Sequence, residues 1–338
     1  MVSRRVSLRR GSYVAGFGKC LNGEMEVLTR SLLAIAWLLA TIVPAMAWTE
    51  ESVANNDLHG TLTVAAAGER EPVVLIVPGS GPIDRDGNMP GMRNDSLKLL
   101  AHGLAERGIG SLRIDKRGIG ESKSAALRVE DLRVTNYVDD VISWIDVLRK
   151  RPDVSNVFLL GHSEGALIAT LAAQKEKVSG LVLLEGAGLP IAEVLARQLA
   201  ASGVPLALQE QSKRISESLK RGSAVKDVPP ELAQLYPPTV QGYLMSWLPL
   251  DPAAELAKVT CPVLIVQGTT DFQITFDDAA HLQGASPGAR LVAIAGMNHV
   301  LKNAPAGRVA NLRTYNDANL PLEPRLVPSI VTFVHDHS

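Results

Sequence analysis

The sequence predicts the α/β class, a doubly wound and mostly parallel sheet carrying a helical cap insertion. Three observations predict it. From Val73 onward, short β-branched apolar runs alternate with segments whose apolar residues keep the helical period, the pattern of strands joined by crossover helices. In the middle of that alternation stands Gly161-His162-Ser163-Glu164-Gly165, preceded by the apolar run Val157–Leu160 and followed by Ala166–Ala173: strand, sharp turn, helix. Between about residues 188 and 250 the strand pattern lapses into a Leu-, Ala-, Gln-, Lys- and Glu-rich stretch broken by prolines at 205, 229, 230, 237 and 238. That stretch reads as several helices inserted after a sheet strand, a cap over a site below it.

The elements follow in order. Residues 60–66 alternate enough for an early strand, and residues 68–71 read as a turn. Pro72–Val77 is apolar throughout, as a central parallel strand covered on both faces must be. It enters the loop Pro78-Gly79-Ser80-Gly81-Pro82, where backbone can approach a ligand closely. Asp95–Arg107 predicts a helix with Asp95 as N-cap and Leu97, Leu100 and Leu104 on one face. Gly110–Ile114 is the next strand. Thr135–Arg149 is an amphipathic helix capped by Thr135, with Pro152 beyond its end. Strands are expected at 180–184, 263–266 and 291–294, and a last helix at about 323–335.

The amino terminus reads differently. Ser31–Val43 is an apolar run of 13 residues after Arg30, followed by Ala45-Met46-Ala47 with small residues at the two positions a signal peptidase requires. The run is short for a membrane span and right for the core of a signal peptide. Residues 1–47 are therefore expected to be a signal peptide cleaved after Ala47, with periplasmic or secreted export. The alternative is an uncleaved anchor. Translation from Met25 would give a conventional signal peptide, which makes the first 24 residues a start-site artefact. Removing residues 1–47 takes away six basic and two acidic side chains, shifting the formal net charge from -1 to -5. The mature chain, residues 48–338, is expected not to insert in the membrane.

Composition excludes several classes. With 338 residues, 46% hydrophobic and 20% charged, the chain has ample length for a large core. No basic block suggests nucleic acid, no Walker-type loop suggests a nucleotide, and seven scattered histidines form no metal motif. Of two cysteines, Cys20 falls in the segment expected to be removed, leaving Cys261 as a buried, inert thiol.

The chemistry expected is nucleophilic. In a G-x-S-x-G elbow the serine hydroxyl stands clear of the sheet, and the N–H of the next residue, Glu164, opens a helix where it can stabilise an oxyanion. A serine needs a base and a group to orient the base. The strand Val263–Val266 ends in Gln267-Gly268-Thr269-Thr270-Asp271, and Leu291–Ile294 ends in Ala295-Gly296-Met297-Asn298-His299. Ser163, Asp271 and His299 thus lie past three strand ends on one edge of the sheet, where open α/β sheets keep their sites. Asp277 and Asp278 are expected to open a helix instead, and His162 to be a packed loop histidine facing away from the site.

These residues carry a resemblance. From Val73 to the carboxyl terminus the chain resembles the α/β-hydrolases: the elbow, Gly268-Thr269-Thr270-Asp271 and Asn298-His299 match the family's three catalytic positions, and Asp115–Ser122 its structural D-x-R-G-x-G-x-S loop. Where the family often has H-G-x-G, this chain has Pro78-Gly79-Ser80-Gly81, and the match implies the backbone N–H of Ser80 as the second oxyanion donor. More narrowly, Gly79–Gly87 with the G-H-S-E-G elbow resembles bacterial carboxylesterases whose loop reads G-S-G-P-x-D-R-D. That resemblance implies a carboxylesterase of small-molecule esters, with no cofactor and no metal. It makes Asp84, Arg85 and Asp86 candidates for lining the acyl or alcohol pocket, or for a salt-bridged loop that shapes it. A peptidase or amidase, a thioesterase or acyltransferase with the same triad, and a silent binding protein on the same scaffold are the alternatives.

Overall fold

The computed structural model describes residues 48–65 and 70–338, which belong to one compact unit. The expected signal peptide lies outside the described residues, as does half of the turn expected at 68–71. Eight strands form one sheet: β1 (Thr49–Asn55), β2 (Leu58–Val64), β3 (Glu71–Val77), β4 (Gly110–Ile114), β5 (Val154–His162), β6 (Gly180–Leu184), β7 (Val263–Gly268) and β8 (Arg290–Ile294). Their spatial order is β1-β2-β4-β3-β5-β6-β7-β8. β1 and β2 pair antiparallel, as do β2 and β4, and every later pairing is parallel. This is the expected doubly wound sheet, with one addition. β1 reads TEESVAN and is mostly exposed, so no apolar alternation announces it.

Helices cover both faces. On one lie α2 (Val134–Arg149), α3 (Glu164–Lys175) and α8 (Phe276–Ala285); on the other lie α1 (Ser96–Ala105) and α10 (Leu326–Asp336). β3 shows why the sequence is apolar from Pro72 to Val77. Val73, Leu75 and Val77 pack toward the first set, Val74 and Ile76 toward the second.

Two helix starts differ from expectation. Asp95 takes a left-handed conformation (φ 52°) that turns its side chain from the free amides of α1. Its Oδ1 accepts from Asn88 Nδ2 at 2.6 Å, while the Asp86 carbonyl accepts from the Leu97 and Lys98 amides. At α2, Arg133 rather than Thr135 is the N-cap, and the Asn136 side chain accepts from the Arg133 amide at 2.8 Å. Asp277 and Asp278 do open a helix: Asp278 Oδ2 accepts from the Thr275 amide at 2.9 Å in a capping box.

Between β6 and β7 the chain is helical: α4 (Ile191–Ala201), α5 (Leu206–Lys220), α6 (Gln241–Trp247), α7 (Pro252–Leu256) and two single turns at Pro230–Leu232 and Pro238–Val240. This insertion has an apolar cluster of its own, built on Ile215, Leu219, Leu232, Tyr236, Leu244 and Leu248. The fully buried Tyr236 hydroxyl is satisfied by Ser212 and Ser216 at 2.7 and 2.9 Å. The other helical elements among the described residues are short: single turns at Ser122–Ala125, Val129–Asp131 and Thr314–Asn316, and α9 (Arg308–Arg313).

Candidate active site

β3 runs to β4 on one side and the chain then returns to β5 on the other, so the crevice past the ends of β3 and β5 is a topological switch point. Ser163 stands there, directly after β5. Its backbone is strained (φ 55°, ψ -120°), a conformation a serine holds only when its surroundings enforce it. The enforcement is visible. The Ser163 amide donates to the Leu184 carbonyl at 2.9 Å, and the carbonyl of Ser163 starts α3 by accepting from Ala166 at 3.0 Å. The flanking glycines are required by space: a Cβ on Gly161 would lie 2.1 Å from the Gly165 carbonyl oxygen, and one on Gly165 would lie 2.3 Å from that of Val77.

Asp271 and His299 meet. His299 Nδ1 donates to Asp271 Oδ2 at 2.6 Å, and both residues are buried. The other oxygen, Asp271 Oδ1, accepts from the amides of Gln273 (2.7 Å) and Ile274 (3.1 Å). Burial works against ionisation of Asp271, but the imidazole of His299 and these donors hold its carboxyl below the ordinary range. His299 and Ser163 face one small cavity together with Gly79, Ser80 and His162. Asp271 stays behind the histidine and lines neither this cavity nor the larger one.

That larger cavity, of about 430 Å³, opens beside Ser163, Ser80 and Glu164 and runs beneath the helical insertion. Its wall is chiefly apolar: Leu167 from α3, and Ile191, Val194, Leu195, Leu244 and Trp247 from the insertion. Polar groups gather near the serine. Lys116 and Glu164, both buried, approach to 3.7 Å (Nζ to Oε2); Lys116 Nζ donates to the Gly79 carbonyl at 2.5 Å, and Tyr243 Oη donates to Glu164 Oε1 at 2.5 Å.

Asp84, Arg85 and Asp86 are not where the pocket reading put them. Among the described residues they line neither cavity at Ser163. Arg85 donates to Asp115 Oδ2 and Glu121 Oε2, each at 2.6 Å, Asp86 pairs with buried Arg113, and Asp84 Oδ1 accepts from the amides of Asp86 and Asn88. Arg85 and Asp86 are thus held in ion pairs on the β2–β4 side, and Asp84 holds the amides of its own loop, an arrangement that fits the salt-bridged loop rather than the pocket lining. His162 is the opposite case. It does not face away: its Nε2 donates to the His299 carbonyl at 2.8 Å and its ring lies 4.9 Å from that of His299. Burial, reinforced by His299, pushes its pKa down to about 3, so it is a neutral prop. Cys261 is half-buried, and burial pushes its thiol up to about 11.

Sequence reasoning missed Glu185. It follows β6 with φ 50°, is fully buried, and accepts from the Gly268 amide at 2.8 Å and from Gln267. Burial and the charge of Asp271, to which it is hydrogen-bonded, hold its carboxyl well above the ordinary range. Its place at a strand end, next to those of Ser163 and Asp271, was the available signal.

The match to known proteins follows this architecture. A family model described as serine aminopeptidase, S33, matches residues 94–305, which include Ser163, Asp271 and His299. The chain belongs to the serine aminopeptidase S33 family. It is an α/β-hydrolase, as the resemblance of its motifs implied. It is 30% identical over 281 residues to esterase EstD of Thermotoga maritima, an alignment covering 82% of this chain and spanning 63% of that protein's length. Among solved structures it is similar to Est1E of Butyrivibrio proteoclasticus (TM-score 0.55, 18% identity, covering 85% of this chain and 98% of that one). It is also similar to a proline iminopeptidase of Mycobacterium smegmatis (TM-score 0.53, 14% identity, covering 86% and 98%). At these identities the likeness is one of fold.

Proposed function

We propose that this S33-family chain is a carboxylesterase acting on small esters with an apolar acyl group, through Ser163, His299 and Asp271. The observation that carries the reading is the conjunction at one cavity. A strained serine and an aspartate-held histidine face the same space, beside an apolar chamber of about 430 Å³. The esterase relative supports the choice of ester.

In this reading His299 Nε2 takes the Ser163 proton while Asp271 fixes the tautomer and stabilises the imidazolium. Ser163 Oγ bonds to the ester carbonyl carbon. The oxyanion is held by the N–H groups of Ser80 and Glu164, each worth about 3 kcal/mol of transition-state stabilisation. The carbon–oxygen bond to the alcohol breaks as His299 returns its proton to that oxygen. Water then repeats the sequence on the acyl-enzyme, releasing the acid and free Ser163. The chemistry asks for no group beyond the chain and water.

An aminopeptidase would need a carboxylate free to bind the substrate's amine. Glu164 is already engaged by Tyr243 and Lys116, and Asp84 is turned into its own loop. Both argue for the ester. Wild type and Ser163→Ala, assayed on p-nitrophenyl esters of increasing acyl length beside an aminoacyl p-nitroanilide, test this. Ester turnover lost in the variant is expected; serine-dependent cleavage of the anilide alone would move the reading to a peptidase. We further propose that residues 1–47 direct export and are removed. The pattern around Ser31–Ala47 supports this. Amino-terminal sequencing of the exported protein should read Trp48 first; a start upstream of it would contradict cleavage there.

A further inference from the structure

Lys116 comes from the turn after β4 and is 4% exposed, a costly place for an ammonium group. Burial pulls its pKa down, and Glu164 beside it pushes back. Three contacts hold it: the Gly79 carbonyl at 2.5 Å, the Glu164 carboxylate at 3.7 Å and the face of the Tyr137 ring at 5.3 Å. The proposed reaction uses none of these side chains, yet one contact falls on the Gly79–Ser80 peptide and another on the side chain of Glu164, the residues whose N–H groups it does use.

Gly79 C=O and Ser80 N–H belong to one peptide plane, and in a trans peptide they point in opposite directions. A cation anchored on the carbonyl therefore fixes where the N–H points, and it polarises the amide so that the N–H is a stronger donor. Glu164 supplies the other N–H from the first turn of α3, and its side chain is the anion that Lys116 meets. Left unpaired, that carboxylate would set a negative charge beside a developing oxyanion. Tyr243, from the helical insertion, completes the line by donating to the same carboxylate at 2.5 Å.

We propose that Lys116 is the positioning residue of the oxyanion hole: it orients the Gly79–Ser80 peptide and neutralises Glu164, and Tyr243 ties this strut to the cap. The proposal rests on the hydrolase reading above and deepens it. Lys116 touches no reacting atom, so its loss should weaken transition-state binding and leave ground-state binding of the ester alone.

The test compares wild type with Lys116→Met and with Lys116→Met/Glu164→Gln, the second leaving no unpaired charge in the buried site and so keeping a folded variant in hand. Two readouts are used: the rate at which a fluorophosphonate labels Ser163, and the affinity of an alkyl trifluoromethyl ketone, whose serine adduct carries an oxyanion. In both variants labelling should slow and ketone affinity fall by about 10- to 100-fold, with KM for p-nitrophenyl butyrate within about threefold of wild type. The single variant should be the more impaired, because it keeps the bare carboxylate. A folded double variant that labels and binds ketone like wild type would refute the positioning role while leaving Ser163 as nucleophile. A wild type not labelled at Ser163 would refute the nucleophile and this inference with it.

Discussion

Asp271→Asn separates the tautomer-fixing role proposed for Asp271 from its structural one. Asp271 Oδ1 sits between the amides of Gln273 and Ile274 at 2.7 and 3.1 Å, and Oδ2 accepts from His299 Nδ1 at 2.6 Å. Asparagine has one acceptor oxygen to offer. It will stay on the two backbone amides, because the reverse orientation would set its NH2 against both of them. That NH2 then faces Nδ1 of His299, which must become an acceptor and carry its proton on Nε2. An imidazole protonated at Nε2 cannot take a proton from Ser163. The expected loss is about 10⁴-fold in kcat, or about 5.4 kcal/mol of barrier. KM should change little, since Asp271 lines neither cavity at the serine. The fold should hold, since both loop amides keep their acceptor. Hydrolysis of p-nitrophenyl butyrate at pH 7.5 by wild type and variant, beside a thermal melt, is the assay. A folded variant within tenfold of the wild-type kcat would show that Asp271 does not set the tautomer of His299.

Three other predictions rest on different parts of the molecule. Leu195→Trp fills the chamber from α4, so turnover of long-chain esters should fall at least tenfold, about 1.4 kcal/mol, relative to acetate; an unchanged chain-length profile would place the acyl group elsewhere. Gly165→Ala drives a Cβ to 2.3 Å from the Val77 carbonyl oxygen and should destabilise the chain by about 3 kcal/mol or more, read as a shifted urea midpoint. Glu185, raised in the folded state above its ordinary value of 4.5, keeps a proton that the unfolded chain releases. Its contribution to stability is therefore full below about pH 4.5 and declines as pH rises toward its folded value, by at most about 1.4 kcal/mol per pH unit. Urea unfolding of Glu185→Gln and wild type from pH 5 to 8 should show curves that diverge, the wild type losing stability faster; parallel curves would mean that Glu185 is ionised in the fold.

Much of the site was legible because chemistry and local geometry coincide in the sequence. Ser163 lies between glycines on a strand-to-helix turn, and Asp271 and His299 lie just past strands whose apolar runs are unmistakable. A parallel sheet brings all such strand ends to one edge, so position along the chain converts directly into position in space. The same logic recovered seven of the eight strands, and failed at β1 because an exposed edge strand owes its place to hydrogen bonds with β2 rather than to burial.

What the tertiary structure alone decided are the contacts between residues far apart in sequence. Asp84, Arg85 and Asp86 read equally as pocket lining or as a salt-bridged loop until Asp115 and Glu121 engaged Arg85, and Arg113 engaged Asp86, about thirty positions away. His162 read as a packed loop histidine facing away from the site until it met the carbonyl of His299. Lys116 and Tyr243 carry no local signature, and Glu185 only its place at a strand end, since each meets its buried partner on another element: Gly79, Glu164, and Gln267 and Gly268. Periodicity and turn chemistry are local and can be read along the chain. Neutralising a buried charge requires a partner, and only the packed sheet, with the helical insertion folded against α3, brings the partners within reach.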